Sequence, residues 1–246
     1  MTAPVFVVEH FAAGGGGRYV LDGPEGRHAV SVKRLRAGED VVLTDGAGRW
    51  ADCAVLDTEG KDRLILQLDS VHEEPAEQPR VTVVQALPKG DRGELAVETM
   101  TEVGVDAIVP WAAARCITQW RGERGAKALG KWRATAREAG KQSRRVRFPE
   151  VAEAATTKQV AALLAGAEFA AVLHESGDAP LATAELPSTG EIVLVVGPEG
   201  GVAPEELALF EEAGAQAYRL GRSVLRTSTA GTAAAAVLLA RTGRWS

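Results

Sequence analysis

Near the C-terminus, two short apolar runs each stop at a glycine-bearing loop and pass straight into a helix-forming stretch. The first run, Ile192 to Val196, is β-branched and ends at Gly197-Pro198-Glu199-Gly200-Gly201. It reads as a buried strand, and the Gly/Pro cluster as the loop it delivers to one sheet edge. Pro204 with Glu205 and Glu206 then marks a helix start. Proline suits the first helical position, and carboxylates suit the positive end of the helix dipole. The second run, Tyr218-Arg219-Leu220, leads into a loop from Gly221 to Thr227 and a helix from about Ser228. Two glycine loops at adjacent strand ends sit where open α/β sheets bind ligands.

Charge narrows the ligand. A phosphate cradle would carry Gly-Lys-Ser/Thr, or a Gly-x-Gly-x-x-Gly opening a helix directly after a strand. These loops have neither, and Glu199 stands where a phosphate-binding loop avoids a carboxylate. A phosphate-free ligand of cationic character fits better. S-adenosylmethionine, an adenosine bearing a sulfonium, has that chemistry. Taken singly, the Gly-Pro-Glu-Gly-Gly loop is also consistent with an ordinary strand-to-helix turn.

The chain divides once. Residues 1–74 hold short alternating segments, Val5–Val8, Asp40–Thr44, Trp50–Leu56 and Leu64–Val71, separated by turns such as Asp45-Gly46. That spacing predicts a small β-barrel. Gly14 to Gly17 reads as a loop tip, and residues 72–80 as a polar, proline-bearing linker. Across residues 75–246 strands and helices alternate, which predicts a parallel α/β sheet. The helices are Asp91–Val103, Ala126–Ala139, Ala155–Leu164, Pro204–Ala213 and Ser228–Arg241. The strands are Val81–Ala86, Ala107–Val109, Phe169–Leu173, Ile192–Val196 and Ala217–Leu220. Asp91 with Glu94 makes a reciprocal N-cap, and Gly104 and Gly214 fall where left-handed C-caps belong.

Composition agrees with a cytoplasmic enzyme. A 246-residue chain that is 46% hydrophobic can bury one large core or two moderate ones. Cys53 and Cys116 lie far apart without metal-ligand spacing, so they read as reduced thiols and no metal is expected. No basic region precedes the first apolar stretch, and the run Ala233 to Ala240 is shorter than the ~20 residues that span a bilayer. Neither secretion nor a membrane partner is expected.

The total charge of −5 hides an uneven distribution. Between Arg115 and Arg147 eleven basic residues face only Glu123 and Glu138, a local +9 that leaves −14 elsewhere. Clustered cations are the usual footprint of phosphate-backbone binding. Arg115, Lys141, Arg144, Arg145 and Arg147 are therefore candidate RNA contacts, with Trp120 and Trp132 interleaved. A solvated helical face is the other reading of such a run.

Val195 to Gly201, followed by Leu220-Gly221 and Leu225-Arg226-Thr227, resembles the signature of the small-subunit ribosomal RNA uridine N3-methyltransferases, the RsmE family of the SPOUT class. Gln85-Ala86-Leu87-Pro88-Lys89-Gly90-Asp91-Arg92, Thr101 to Asp106, and Gln142-Ser143-Arg144-Arg145 match it as well. The N-terminal stretch from His28 to Glu39 resembles that family's RNA-binding lead domain, so the likeness is colinear over nearly the whole chain. Three positions depart from it: Ser228, Arg222 and Val5 replace the usual Glu, Pro and Arg.

The resemblance implies a PUA-like β-barrel over 1–74. Over 75–246 it implies a SPOUT α/β domain, a parallel sheet with helices on both faces and a deep C-terminal trefoil knot. It implies S-adenosylmethionine as cofactor, held largely by backbone in three loops. Those loops supply Leu173 and His174; Gly197, Pro198, Glu199, Gly200 and Gly201; and Leu220, Gly221, Val224, Leu225, Arg226 and Thr229. It adds Arg34, Arg36, Lys89 and Arg92 to the RNA contacts, and implies 16S ribosomal RNA of the small subunit as partner and a homodimer.

Methyl transfer from a sulfonium is an in-line displacement, so the protein mainly positions two reactants. The acceptor nitrogen of uridine carries an imide proton, and cations would stabilise the charge left when it departs. Arg226 is the candidate catalytic residue. It precedes a helix N-terminus, where the dipole disfavours a cation, so a phosphate, the uracil edge or the cofactor carboxylate is expected to hold it. His174 is open as a base or as a structural hydrogen-bonder, and no general base is assigned. Two other functions fit the same scaffold: a non-catalytic RNA-binding or assembly factor, and a SPOUT enzyme acting on transfer RNA or on ribose.

Overall fold

Period-two alternation builds the N-terminal sheet. On β4 (Arg49–Glu59) Ala51, Cys53 and Val55 are buried, and they stand opposite Val71, Leu68 and Leu66 of β5 (Arg63–Glu73) across an antiparallel ladder. In the computed structural model, which describes residues 3–11 and 17–245, the chain forms two compact units. One comprises Met1–Ala76 with Gly140–Phe148, the other Glu77–Ala139 with Pro149–Ser246.

In the first unit β1 (Val5–Val7) runs parallel to β3 (Asp40–Thr44), which pairs antiparallel with β4. A strand absent from the sequence reading, β2 (Gly17–Leu21), pairs with β5, giving the order β1-β3-β4-β5-β2. Gly17 thus opens a strand, while Gly14 to Gly16 lie outside the described residues. A short helix α1 (Gly23–Arg27) runs into a π-helical turn at His28–Val32. Phe6, Leu43, Leu64 and Leu66 are fully buried between them.

The return of Gly140–Phe148 to this unit follows from its bonding. Thr44 Oγ1 donates to the Val146 carbonyl at 2.7 Å, and Phe148 N–H to that of Gly46 at 2.8 Å. The Phe148 ring lies against Gly46 and Gly140, and a Cβ on either glycine would collide with it. A split at 74/75 overlooks this return, because so short a segment carries no periodicity of its own. The expected linker is also shorter: His72 and Glu73 still pair on β5, and β6 begins at Arg80.

The second unit is a seven-stranded, all-parallel sheet, ordered β10-β12-β9-β11-β6-β7-β8. Its strands are β6 (Arg80–Ala86), β7 (Ala107–Trp111), β8 (Glu150–Val151), β9 (Phe169–Leu173), β10 (Ala179–Pro180), β11 (Glu191–Val196) and β12 (Gln216–Arg219). The two-residue strands β8 and β10 carry no sequence pattern and were not expected. Between the strands lie α2 (Arg92–Val103), α3 (Gly122–Gln142), α4 (Thr157–Ala165), α5 (Pro204–Glu212) and the C-terminal α6 (Thr227–Arg241).

The β6–β7 connection carries α2, and the β11–β12 connection, which runs the opposite way across the sheet, carries α5; the usual right-handed sense of such crossovers predicts opposite faces for the two. The contacts agree: α6 packs against α2, β6 and β11, while α4 packs with α5 and β9. The small face of α6 is core. Ala230, Gly231, Ala234 and Ala235 are buried, and a Cβ on Gly231 would come within 2.8 Å of Met100 Sδ. Asp91 caps α2 without a side-chain bond, since Glu94 pairs with Lys131 instead. Gly104 does close α2 in the left-handed conformation, at φ 108°. No helix among the described residues is long and apolar enough to cross a membrane. Nor is any group of three or more His, Cys, Asp or Glu among them placed to hold a metal.

Candidate functional site

β6 and β11 are neighbours in the sheet, yet β6 leads through α2 to β7 on one side and β11 through α5 to β12 on the other. Such a reversal opens a crevice beyond the carboxyl ends of the strands. A cavity of about 620 Å³ lies there. Leu173 to Glu175 line it after β9, Val196 to Val202 after β11, and Tyr218 to Thr227 after β12. Ala230 of α6, Arg92 at the start of α2 and Arg115 after β7 complete the wall.

Every residue expected at the cofactor lies on this wall except Thr229. Leu173, His174, Gly197, Pro198, Glu199, Gly200, Gly201, Leu220, Gly221, Val224, Leu225 and Arg226 are brought together by three loops far apart in sequence. Thr229 instead serves α6: its hydroxyl and its amide both donate to the Arg226 carbonyl, at 3.2 and 2.9 Å.

The loop after β11 is built from inside. Gly201 adopts φ +74°, which favours glycine, and its amide reaches the Pro198 carbonyl at 2.9 Å. Glu199 Oε1 accepts from the Lys89 backbone N–H at 3.2 Å, tying this loop to the one after β6. Arg115 Nη1 donates to the Gly200 carbonyl at 3.1 Å. Buried Glu206 accepts from Ala114 N–H at 2.8 Å, Thr157 Oγ1 at 2.9 Å and Ala203 N–H at 3.2 Å, which fixes the start of α5 against the segment carrying Arg115. The sequence reading gave Glu206 only a helix-start role.

The loop after β12 is different. Among the described residues, no backbone hydrogen bond joins any group from Gly221 to Leu225 to the rest of the protein. Its amides and carbonyls are therefore left for solvent or a ligand, the need that every backbone polar group carries. Val224 is 80% exposed at the cavity, an apolar side chain that this chain does not cover. A Cβ on Gly221 would meet nothing within 4 Å.

His174 is oriented by its neighbours. Its Nδ1 accepts from the Ser176 backbone N–H at 3.2 Å and lies 2.6 Å from Ser176 Oγ. An amide N–H can only donate, so the neutral ring carries its proton on Nε2. His174 thus presents a donor, which argues against the base role left open above.

The cavity's cations fall into two groups. Arg115 and Arg219 each spend a guanidinium nitrogen on a backbone carbonyl, of Gly200 and Gly177. Arg92, Arg222 and Arg226 have no partner among the described residues. Glu175 and Arg219 were not among the expected site residues, and Arg222 stood out only as a departure from the family pattern. For Glu175 and Arg219 the signal was adjacency to the loops that line the cavity.

The candidate RNA contacts are less uniform than the charge run suggested. Arg34, Arg36, Lys89 and Arg144 are exposed, and Arg145 is half-exposed. Arg92 and Arg115 belong to the cavity wall. Lys141 is a correction: its side chain is 7% exposed and its ammonium pairs with Glu25 at 2.9 Å. Arg147 is another, since Nη2 donates to the Glu74 carbonyl at 2.7 Å and Nε is buried. The two tryptophans are a third. Trp132 is buried edge-on to Trp120, centroids 4.9 Å apart, and packs on Gly93. Burial pushes the Cys53 thiol up to about 12 and raises that of Cys116, so neither is poised as a nucleophile.

A parallel sheet with a ligand cavity at its switch point, in a chain that also carries a small β unit, defines a two-part α/β ligand-binding protein. The family described as RNA methyltransferase domain matches residues 75–239, and that described as RNA methyltransferase PUA domain matches residues 21–69. Ribosomal RNA small subunit methyltransferase E of Mycobacterium bovis is 46% identical over 230 residues, covering 92% of this chain and 87% of the relative. The Bacillus subtilis protein of that name is 29% identical, covering 86% of each. The crystal structure of the Neisseria gonorrhoeae protein of that name, bound to S-adenosyl methionine, superposes with a TM-score of 0.85 at 29% identity over 98% of both chains. The chain belongs to the RNA methyltransferase family, in the branch of ribosomal RNA small subunit methyltransferase E.

Proposed function

We propose that this protein transfers the methyl group of S-adenosylmethionine to N3 of a uridine in 16S ribosomal RNA, as a cytoplasmic homodimer. The observation that carries the reading is the cavity itself, where three loops converge, one of them with unpaired backbone from Gly221 to Leu225, beside carboxylates that oppose phosphate. It is supported by the names of the relatives and by the cofactor bound in the Neisseria gonorrhoeae structure. β12 lies between β9 and β10, inside the span of chain linking β9 to β11, which supports a trefoil knot at this end.

The cofactor, when bound, supplies an electrophilic methyl on a sulfonium. The groups from Gly221 to Leu225 would bind its adenosine by backbone, with Leu220, Val224 and Leu225 as the apolar wall. His174 would donate from Nε2, while Glu175 and Glu199 favour the cationic end. Small side chains let backbone approach a ligand closely. Gly221→Val is therefore expected to weaken S-adenosylmethionine binding tenfold or more, about 1.4 kcal/mol. Its melting temperature should hold, because no protein atom stands in the way. Calorimetric titration reads the affinity, and an unchanged value would remove this loop from the site. Nucleoside mass spectrometry of ribosomal RNA from a deletion strain tests the product. Persistence of N3-methyluridine there would overturn the assignment. Cofactor binding without any product would instead favour a non-catalytic scaffold.

The surface cations Arg34, Arg36 and Arg144 would meet RNA phosphates. Replacing all three by Ala should flatten the slope of log affinity against log salt by up to roughly 0.7–0.9 for each phosphate no longer neutralised. An unaltered slope would leave them as solvated surface.

A further inference from the structure

Arg92 is the first residue of α2 and reaches the cavity from the β6 side, half-buried. Its charge is poorly placed for the fold, because a helix start carries the positive end of the dipole. Among the described residues no carboxylate pairs with it. Glu94 is committed to Lys131 at 2.9 Å, Asp91 makes no side-chain cap, and Glu199 accepts from the Lys89 amide. The cavity therefore holds a partly desolvated cation that the protein itself leaves without a partner among the described residues.

We propose that Arg92 is a catalytic residue that contacts the substrate uracil and takes up the negative charge of its imide as N3 loses its proton. The proposal rests on the uridine N3-methylation reading above. Three anionic groups compete for Arg92: the cofactor carboxylate, an RNA phosphate and the ionising base. The loops assigned to the cofactor follow β9, β11 and β12, whereas Arg92 stands beyond β11, at the end of β6. A backbone phosphate is served by an exposed cation, as Arg34 or Arg36 is, and not by one set into a cavity. The base is the group that must enter that space to reach the methyl donor.

In the step, the N3 proton leaves to water and the freed lone pair forms the bond to the methyl carbon. The carbon–sulfur bond breaks with its electron pair going to sulfur, leaving a neutral thioether. Arg92 would lower the imide pKa, so that more of the base is ionised at neutral pH and no side-chain base is needed. The other groups facing the cavity do not supply this. Glu175 and Glu199 oppose an anion, and His174 presents a donor from the cofactor side. Tyr218 stays protonated because burial raises its pKa, and its hydroxyl is given to Gln216. Arg222 and Arg226 lie on the loop assigned to the cofactor, and Arg115 and Arg219 are each held by a backbone carbonyl, of Gly200 and Gly177.

Single-turnover rates at saturating RNA and S-adenosylmethionine, measured against pH, test this. In the wild type the rate should rise about tenfold per pH unit and then level off as the bound imide ionises. Arg92→Met should lower the rate about 10²-fold at neutral pH and move the plateau up by about two pH units, the same factor in another form. Arg92→Lys, which keeps the charge, should recover most of the rate and the wild-type plateau. Cofactor affinity and the salt slope of RNA binding should stay as they were in both variants, with unchanged melting temperatures.

A lower salt slope in Arg92→Met would make Arg92 a phosphate contact, and weaker cofactor binding would make it the carboxylate's partner. Either result overturns the proposal, as does an unchanged rate or a slower one with an unmoved plateau. If Arg92→Met fails to fold, a Lys variant with a displaced plateau or a 10²-fold loss overturns it equally. Absence of N3-methyluridine from wild-type reactions would sink the reaction itself, and so is distinguishable from failure of this residue.

Discussion

Replacing Arg226 with lysine is expected to cut the single-turnover rate about 10²-fold at saturating RNA and cofactor, the scale of losing one positioned donor. Arg226 is the N-cap residue of α6, with φ −68° and ψ 149°, and its carbonyl takes the amides of Thr229 and Ala230. The backbone is thus anchored while the side chain stands at the cavity, without a partner among the described residues. A cation at that end of a helix is disfavoured by the dipole, so a ligand is expected to hold it. A planar guanidinium grips two oxygens in a fixed fork, which an ammonium cannot reproduce. The expected behaviour is the opposite of Arg92, where charge alone should suffice and lysine should rescue. If Arg226→Lys turns over at a near-wild-type rate and loses only RNA affinity, Arg226 is a point charge on a phosphate and has no catalytic part.

The elements that the sequence made legible are those whose side chains repeat a period. β9, β11 and α2 were expected within a residue of their observed limits, because β-branched runs and capping glycines mark them locally. Two of the loops at the cavity, those after β11 and β12, were legible for the same reason, each being the abrupt end of such a run at glycine, whereas the loop after β9 was expected from the family resemblance alone. What escaped depends on partners distant in sequence. Lys141 looked like a surface cation until Glu25 met it, and Trp132 like an RNA-stacking ring until Gly93 made room for it. Arg92 belongs to the cavity only because β6 lies beside β11, and strand order is invisible in local pattern. Likewise β2 and the return of Gly140–Phe148 exist through pairing, since neither carries a strong signal of its own.

Arg244→Met should destabilise the protein by about 3–5 kcal/mol, the scale of breaking a buried ion pair by removing one partner. The Arg244 side chain is only 6% exposed and grips Asp106 with two nitrogens, Nη1 to Oδ2 at 2.5 Å and Nη2 to Oδ1 at 3.1 Å. Its Nε meets Glu77 at 2.6 Å, and the remaining N–H groups reach the Pro79 and Gly104 carbonyls, each at 3.2 Å. Asp106 in turn accepts from the Val81 amide at 2.8 Å, so one guanidinium joins the tail after α6 to the starts of β6 and β7. Methionine fills part of the volume but strands a carboxylate that is 13% exposed. Removing that carboxylate too, in Arg244→Met with Asp106→Leu, should recover part of the loss but not all, because the Val81 amide then lacks its acceptor. Urea unfolding followed by circular dichroism reads this as a lower midpoint at constant slope. Arg244 follows the far end of α6 from Arg226, and that helix is about 22 Å long. Cofactor affinity below the transition should therefore stay within about twofold, a tolerance of roughly 0.4 kcal/mol. A loss under about 1 kcal/mol would mean that the tail is held mainly by the packing of α6 on α2, with the ion network adding little.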